Sequence, residues 1–190
     1  MSRTSRRYLP APELQVSEWL NTKQPLSLED CRGRTLVIEA FQMLCPGCVS
    51  HGLPQAQRIR QCFPENEVAV IGLHTVFEHH EAQGSREALS AFLHEYRIDF
   101  PVGIDARDAS ERLPKTMSSL NLRGTPSLLM IDGRGRICYH QFGRPDDMAV
   151  GAAVMSLVVE NRSQALIATS AEAGSGNAAG CTEDGCAVPR

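Results

Sequence analysis

Two cysteines stand where an apolar strand gives way to a helix. Thr35-Leu36-Val37-Ile38-Glu39-Ala40-Phe41 is a strand-like run, and the stretch from Val49 to about Cys62 has helical character. Cys45-Pro46-Gly47-Cys48 lies between them. Two thiols separated by two residues at a strand-to-helix turn can close a small disulfide and open it again. The first thiol also lies near the unpaired N–H groups of the helix start, which favour its thiolate. That is the chemistry of thiol–disulfide exchange.

The rest of the chain supplies the frame. Glu67 to His74 is a near-continuous apolar run, the pattern of a central strand buried on both faces. Ser85 to Tyr96 reads as an amphipathic helix with Ser85 as N-cap, since Ala88, Leu89, Phe92, Leu93 and Tyr96 fall at helical spacing. Ser127 to Ile131, the turn Asp132-Gly133-Arg134-Gly135, and Arg136 to Phe142 read as a hairpin. Asp146 to Glu160 reads as a closing helix. Leu14 to Leu20 reads as a short helix, and Ser110 to Leu120 as a helical stretch interrupted by Pro114. Pro101 to Ile104 is too short to assign by pattern. Gly52 and Pro54 make an awkward helix start, so the helix after the cysteines is expected to kink or to begin late, near Leu53. The order β-α-β-α, hairpin, α implies a mixed sheet with helices on both faces. The domain is expected to span residues 10–160.

From residue 161 onward the composition changes. Ala171 to Gly180 is rich in Ala, Gly and Ser and reads as a flexible linker, so residues 161–190 are expected to form a tail. It carries a C-x4-C pair, Cys181 and Cys186. Three readings of that pair stand open. It can relay electrons, since a coil of this length spans roughly 25 Å; it can bind a soft metal ion with Glu183 and Asp184 adding charge; or it has no role.

Charge and composition exclude some classes. A net charge of -3 gives no reason to expect nucleic acid, and Arg3, Arg6 and Arg7 read as a solvated terminus. No run approaches the roughly 18 apolar residues of a membrane span, and no apolar stretch follows the N-terminal charges as in a secretory signal. The expected location is cytoplasmic, with no membrane partner. In a reducing compartment, seven cysteines point to catalysis, metal binding or buried thiols rather than a disulfide framework.

The strand, the CxxC at a helix start, and Gly124-Thr125-Pro126 ahead of a hairpin together resemble the thioredoxin superfamily, and within it the TlpA-like and redoxin branch. The resemblance implies a three-layer α/β/α thioredoxin-like fold around a mixed central sheet. It implies that Pro126 is cis and faces the dithiol, where the backbone at Thr125 pairs with a bound substrate chain, and that Pro46 and Gly47 help to form the substrate surface. It also implies that Glu39 is a buried acid beneath the dithiol. Among apolar neighbours, burial would raise its pKa and let it shuttle a proton for Cys48. The alternation of Val37, Glu39 and Phe41 against Leu36, Ile38 and Ala40 puts Glu39 on a face with apolar partners.

Three departures from the family pattern stand out. Leu44 replaces the usual Trp before the first cysteine, and the dipeptide is Pro-Gly rather than Gly-Pro. Gln42 occupies the position where a peroxiredoxin places Thr, three residues before the reactive cysteine.

The expected function is a thiol–disulfide oxidoreductase working in the reducing direction. Cys45 attacks, Cys48 resolves, and Glu39 assists proton transfer. The dithiol itself carries the electrons, so no organic cofactor is implied. Partners would be a disulfide-containing protein or small molecule and an upstream thiol reductant. The alternatives are a redoxin-type peroxidase with Cys45 as peroxidatic thiol, and a metal-binding protein using Cys45, Cys48 and the tail pair. His51 reads as a surface residue, and His74, His79 and His80 with Glu78 and Glu81 as a polar loop rather than a metal site. Cys31, Cys62 and Cys138 read as small buried or half-buried residues.

Overall fold

The computed structural model describes residues 8–174. Seven strands form one mixed sheet: β1 (Leu9–Pro10), β2 (Val16–Leu20), β3 (Thr35–Phe41), β4 (Val68–His74), β5 (Val102–Asp105), β6 (Ser127–Ile131) and β7 (Arg136–Phe142). Their order across the sheet is β1-β7-β6-β3-β4-β5-β2. β3 sits at the centre, parallel to β4 and antiparallel to β6, and every one of its residues is buried. A strand with neighbours on both edges and layers on both faces must be apolar along its length, which is what its composition provides.

The side chains of β3 alternate between two cores, as their period of two requires. Val37 and Phe41 join one cluster, with Leu53, Ala56 and Ile59 of α1 (Leu53–Cys62), Leu89 and Leu93 of α3 (Arg86–Glu95), and Val154 of α5 (Asp147–Gly174). Leu36, Ile38 and Ala40 join the other, which is closed by Leu28, Cys31, Met117 and Leu120. The result is the three-layer thioredoxin-like arrangement. Short α2 (His80–Gln83) and α4 (Lys115–Ser119) complete the α-helices of the described residues. Ser85 caps α3, its hydroxyl accepting from the Ala88 N–H at 3.1 Å.

Three segments differ from the sequence expectation. Leu14 to Leu20 is not a helix: Val16–Leu20 is an edge strand, antiparallel to the β5 segment that pattern alone left unassigned. The segment is short, and a neighbouring strand supplies the backbone partners that an isolated turn of helix would lack. Gly103 permits the fit, because a Cβ there would lie 2.8 Å from Val16 Cγ2 and 3.3 Å from Trp19 Cζ3. Of Ser110 to Leu120 only Lys115–Ser119 is helical, starting directly after Pro114. Its first turn is held by buried Asp105, whose carboxylate accepts the N–H groups of Thr116 (2.8 Å) and Met117 (2.9 Å).

The closing helix also runs on past Glu160 to Gly174. Asn161, where composition suggests the tail begins, is a tertiary anchor. Its Oδ1 accepts from the Gly133 N–H at 3.0 Å, and its Nδ2 donates to Thr35 Oγ1 at 3.1 Å. Arg162 pairs with Glu67. A polar residue at a compositional boundary carries no pattern that announces such contacts. No helix among the described residues is long and apolar enough to cross a membrane.

Asn161→Ala removes both side-chain hydrogen bonds that tie α5 to the hairpin turn and to β3. Net contributions of about 1 kcal/mol per bond give an expected loss of roughly 1–2 kcal/mol, read from urea unfolding.

Candidate active site

β3 ends at Phe41, and four residues later Cys45 opens a turn that leads into a widened, π-type helical segment, Cys48–Gly52. α1 then continues from Leu53, so the late start expected from Gly52 and Pro54 is present. Pro54 falls in the first turn of α1, where its missing N–H costs nothing.

The two thiols occupy different surroundings. Cys45 is half-buried and Cys48 has no exposed surface; both are free thiols. The backbone N–H of Cys48 donates to Cys45 Sγ at 3.2 Å, and Cys45 Sγ lies 3.5 Å from the Thr125 carbonyl oxygen. The first sulfur thus has an N–H placed to meet charge that develops on it during exchange. Burial, and then the neighbouring Cys45 sulfur, push the Cys48 thiol far above its ordinary pKa.

The Thr125–Pro126 peptide is cis, and Pro126 packs directly on the dithiol turn. A Cβ on Gly47 would stand 3.1 Å from Pro126 Cδ. Thr125, Pro126 and Gly47 are therefore brought to the reactive sulfur by contact. Beneath them lies Glu39, 1% exposed, with Oε1 buried and without a hydrogen-bond partner. Desolvation, with Cys45 adding to it, raises its pKa well above the usual carboxylate value.

Gly52 is the residue of the candidate site that the sequence pattern did not single out for a role there. It reads as a weak start to a helix, yet a Cβ there would lie 2.1 Å from Glu39 Oε1 and 3.0 Å from Pro126 Cβ. Its lack of a side chain is what lets the turn close over the carboxyl. The available signal was its spacing of one helical turn after Cys48.

A buried polar network braces the turn from the opposite side. Gln42, 1% exposed, accepts from the Phe77 N–H (3.3 Å) and from Gln83 Nε2 (3.0 Å), and its own Nε2 lies 3.5 Å from Thr125 Oγ1 and from Glu78 Oε1. Gln83 in turn accepts from the Leu44 N–H at 3.1 Å. Gln42 is thus a joint between loops, with its amide spent on those partners. Gln83 gave no signal in the sequence, because its partner is 41 positions away.

Other candidates lie elsewhere. His51 is half-buried, and its Nε2 lies 3.0 Å from the Pro145 carbonyl rather than at a thiol. His74 is buried at the end of β4 with Nε2 unpartnered, its ring 5.3 Å from that of Phe41, and burial lowers its pKa to about 4. His79 is exposed, and no group of three His, Cys, Asp or Glu able to hold a metal occurs among the described residues. Cys31 is buried and Cys138 half-buried, as expected. Cys62 is instead exposed, because the last turn of α1 projects it outward. Cys181 and Cys186 lie outside the described residues.

Comparisons with known proteins agree with this geometry. The redoxin family model matches residues 9–155. A crystal structure of a thioredoxin-like superfamily protein superposes with a TM-score of 0.76 at 54% identity, covering 79% of this chain and 96% of that one. The crystal structure of a thiol-disulfide isomerase from Corynebacterium glutamicum gives 0.75 at 50% identity, covering 78% and 96%. NHL repeat-containing protein 2 of Homo sapiens is 27% identical over 138 residues, 71% of this chain. This chain spans only 18% of that protein's length.

Two outcomes are expected from this packing. Gly52→Ala should destabilise the protein by roughly 1–3 kcal/mol through overpacking, and Glu39→Ala should recover part of that loss. A double-mutant cycle by denaturant unfolding measures the coupling. The His74 imidazole takes up a proton near pH 6.5 when unfolded and at about 4 when folded. Its unfolded form therefore binds the proton first as pH falls. The stability it confers is complete above pH 6.5 and declines towards pH 4, by up to about 3 kcal/mol. His74→Leu should flatten the pH dependence of unfolding in that window.

Proposed function

Because the chain belongs to the redoxin family and is a thiol–disulfide oxidoreductase of thioredoxin-like fold, we propose that its chemistry runs through Cys45 and Cys48 in the reducing direction. The observation that carries this reading is the asymmetry of the pair. One sulfur is accessible, with an N–H at 3.2 Å and the Thr125 carbonyl at 3.5 Å; the other is enclosed and held protonated.

In the proposed reaction Cys45 attacks as thiolate on a substrate disulfide. A bond forms between Cys45 Sγ and one substrate sulfur, the substrate S–S bond breaks, and the departing thiolate takes up a proton. Cys48 then loses its proton and attacks Cys45 Sγ. The second substrate thiol leaves, and the protein is left with a Cys45–Cys48 disulfide. Two electrons pass to the substrate, and an upstream thiol reductant of the same chemistry restores the dithiol. Proximity of Cys48 makes the second attack intramolecular, so it outruns further reaction of the mixed disulfide.

Glu39 is the proton acceptor for Cys48 in this scheme. A carboxylate whose charge is disfavoured by burial is a stronger base than one in water, and no competing hydrogen bond holds its Oε1. Thr125 and Pro126 supply the backbone edge for the substrate chain, with Pro46 and Gly47 forming the facing surface.

Strong oxidants of this type owe their potential to a stabilised reduced form. Cys48 stays a neutral thiol and adds nothing to such stabilisation, which fits the reductase direction in a reducing compartment such as the cytoplasm. Gln42 supports exchange over peroxide reduction: where a peroxiredoxin carries a hydroxyl directed at peroxide, this amide is bonded to Phe77 and Gln83.

Stopped-flow oxidation of the reduced protein provides the test. A disulfide substrate should react fast and hydrogen peroxide slowly; the opposite order would sink the proposal in favour of a peroxidase. Cys45→Ser should abolish exchange, and Cys48→Ser should accumulate a mixed disulfide visible by mass spectrometry. Glu39→Gln should slow the resolving step by about 100-fold while leaving the first attack less affected.

A further inference from the structure

Two arginines on the segments that meet at the dithiol form no ion pair among the described residues. Arg144 lies over Gly47, between the two cysteines: its Nε is 3.7 Å from where a Cβ on Gly47 would stand, and its Nη2 donates to Ser50 Oγ at 3.0 Å. Arg123 is held by Phe142, its guanidinium carbon 5.6 Å from the ring centroid. That ring rests against Gly124, next to the Thr125 carbonyl that faces Cys45 Sγ. Both cations therefore connect to the reactive sulfur through the cysteine turn and the cis-proline segment.

Of the carboxylates nearby, only Asp147 has its charge met by an ion pair among the described residues. Asp146 accepts from the N–H groups of Met148 and Ala149, Asp147 pairs with Arg58, and Glu78 faces Gln42. Two exposed apolar side chains belong to the same segments. Leu44, beside Cys45, is 56% exposed, and Phe142 is 41% exposed.

We infer that the preferred substrate is a disulfide flanked by carboxylates. This inference rests on the exchange reading above and names its substrate class. Attack of a thiolate on an anionic disulfide brings like charges together. Two unpaired guanidiniums on these segments offset that repulsion, whereas a cationic disulfide meets repulsion from both. At separations of about 8 Å in a water-like medium, each arginine shifts the rate by roughly two- to threefold at low salt.

The experiment oxidises the reduced full-length chain with three small disulfides: 3,3′-dithiodipropionate (a dianion), bis(2-hydroxyethyl) disulfide (neutral) and cystamine (a dication). Rates are read by quenched thiol alkylation. The ratio of dianion to dication rates should exceed about tenfold at low ionic strength. It should fall towards one as about 1 M salt shortens the screening length to about 3 Å. In the R123Q/R144Q double variant the ratio should fall to one or below without added salt, because the repulsion between thiolate and dianion is then no longer offset. Equal rates for the three compounds, or a ratio that the double variant leaves unchanged, overturns the inference alone. Failure of all three to react overturns the exchange reading and this inference with it. Two further substrates locate the source of the chemistry. A preference for glutathione disulfide assigns it to small peptides, and a preference confined to a disulfide peptide flanked by glutamates assigns it to polypeptides. Absence of preference in both overturns the inference.

Discussion

The close approach of Gly52 to Glu39 governs how the remaining parts of the site can be arranged. A carboxyl group set in the middle of the central strand is costly, because water cannot reach it and one of its oxygens has no partner. The helical segment after the cysteines crosses directly above it, and at 2.1 Å from Oε1 there is no space for even a methyl group. Gly52 therefore sets how deeply the segment descends, and with it the depth of Cys48. Pro126 fills the remaining volume against both Gly52 and Gly47. Carboxyl, buried thiol and proline segment form one packed unit, and none can shift without the others.

The same unit explains why the two thiols differ although they are neighbours in sequence. Cys48 is on the inner face of the π-type segment, against the core formed by Leu53, Ala56 and Phe41, while Cys45 is at its rim. Burial disfavours charge on the inner sulfur, and the N–H of Cys48 is directed at the outer one. The Gln42–Gln83 pair then fixes the loop that carries Leu44 and ties it to Thr125. The position where a peroxiredoxin places Thr is here a structural joint.

Much of this was legible in the residues. Alternation along Thr35 to Phe41 separates the two cores correctly and places Glu39 on the face of Val37 and Phe41. The turn residues between Ile131 and Arg136 identify the hairpin, and Ser85 identifies a helix start. These signals are local: strand period, turn chemistry and capping act over a few residues and leave a pattern in composition. The misreadings share the opposite property. Val16–Leu20 is a strand because β5 lies beside it, and Asn161 extends α5 because it bonds to Gly133 and Thr35. Cys62 is outward because of where α1 ends. Each outcome depends on a partner far away in the chain.

The resemblance to the thioredoxin superfamily placed Glu39 beneath the dithiol, while the sequence by itself determined a mixed sheet with helices on both faces, the central strand, the dithiol at a strand-to-helix turn and the strand face that Glu39 shares with Val37 and Phe41. Those follow from periodicity and residue type, which short-range sterics and the burial of apolar surface convert directly into structure. Only the tertiary structure decided what those residues experience. It set Gly52 against the Glu39 carboxyl, committed Gln42 to a loop junction, enclosed Cys48 while leaving Cys45 at the rim, and laid Arg144 over the turn between the cysteines. Electrostatics and close packing depend on distances between atoms, and residues remote in sequence acquire those distances only when the chain has folded.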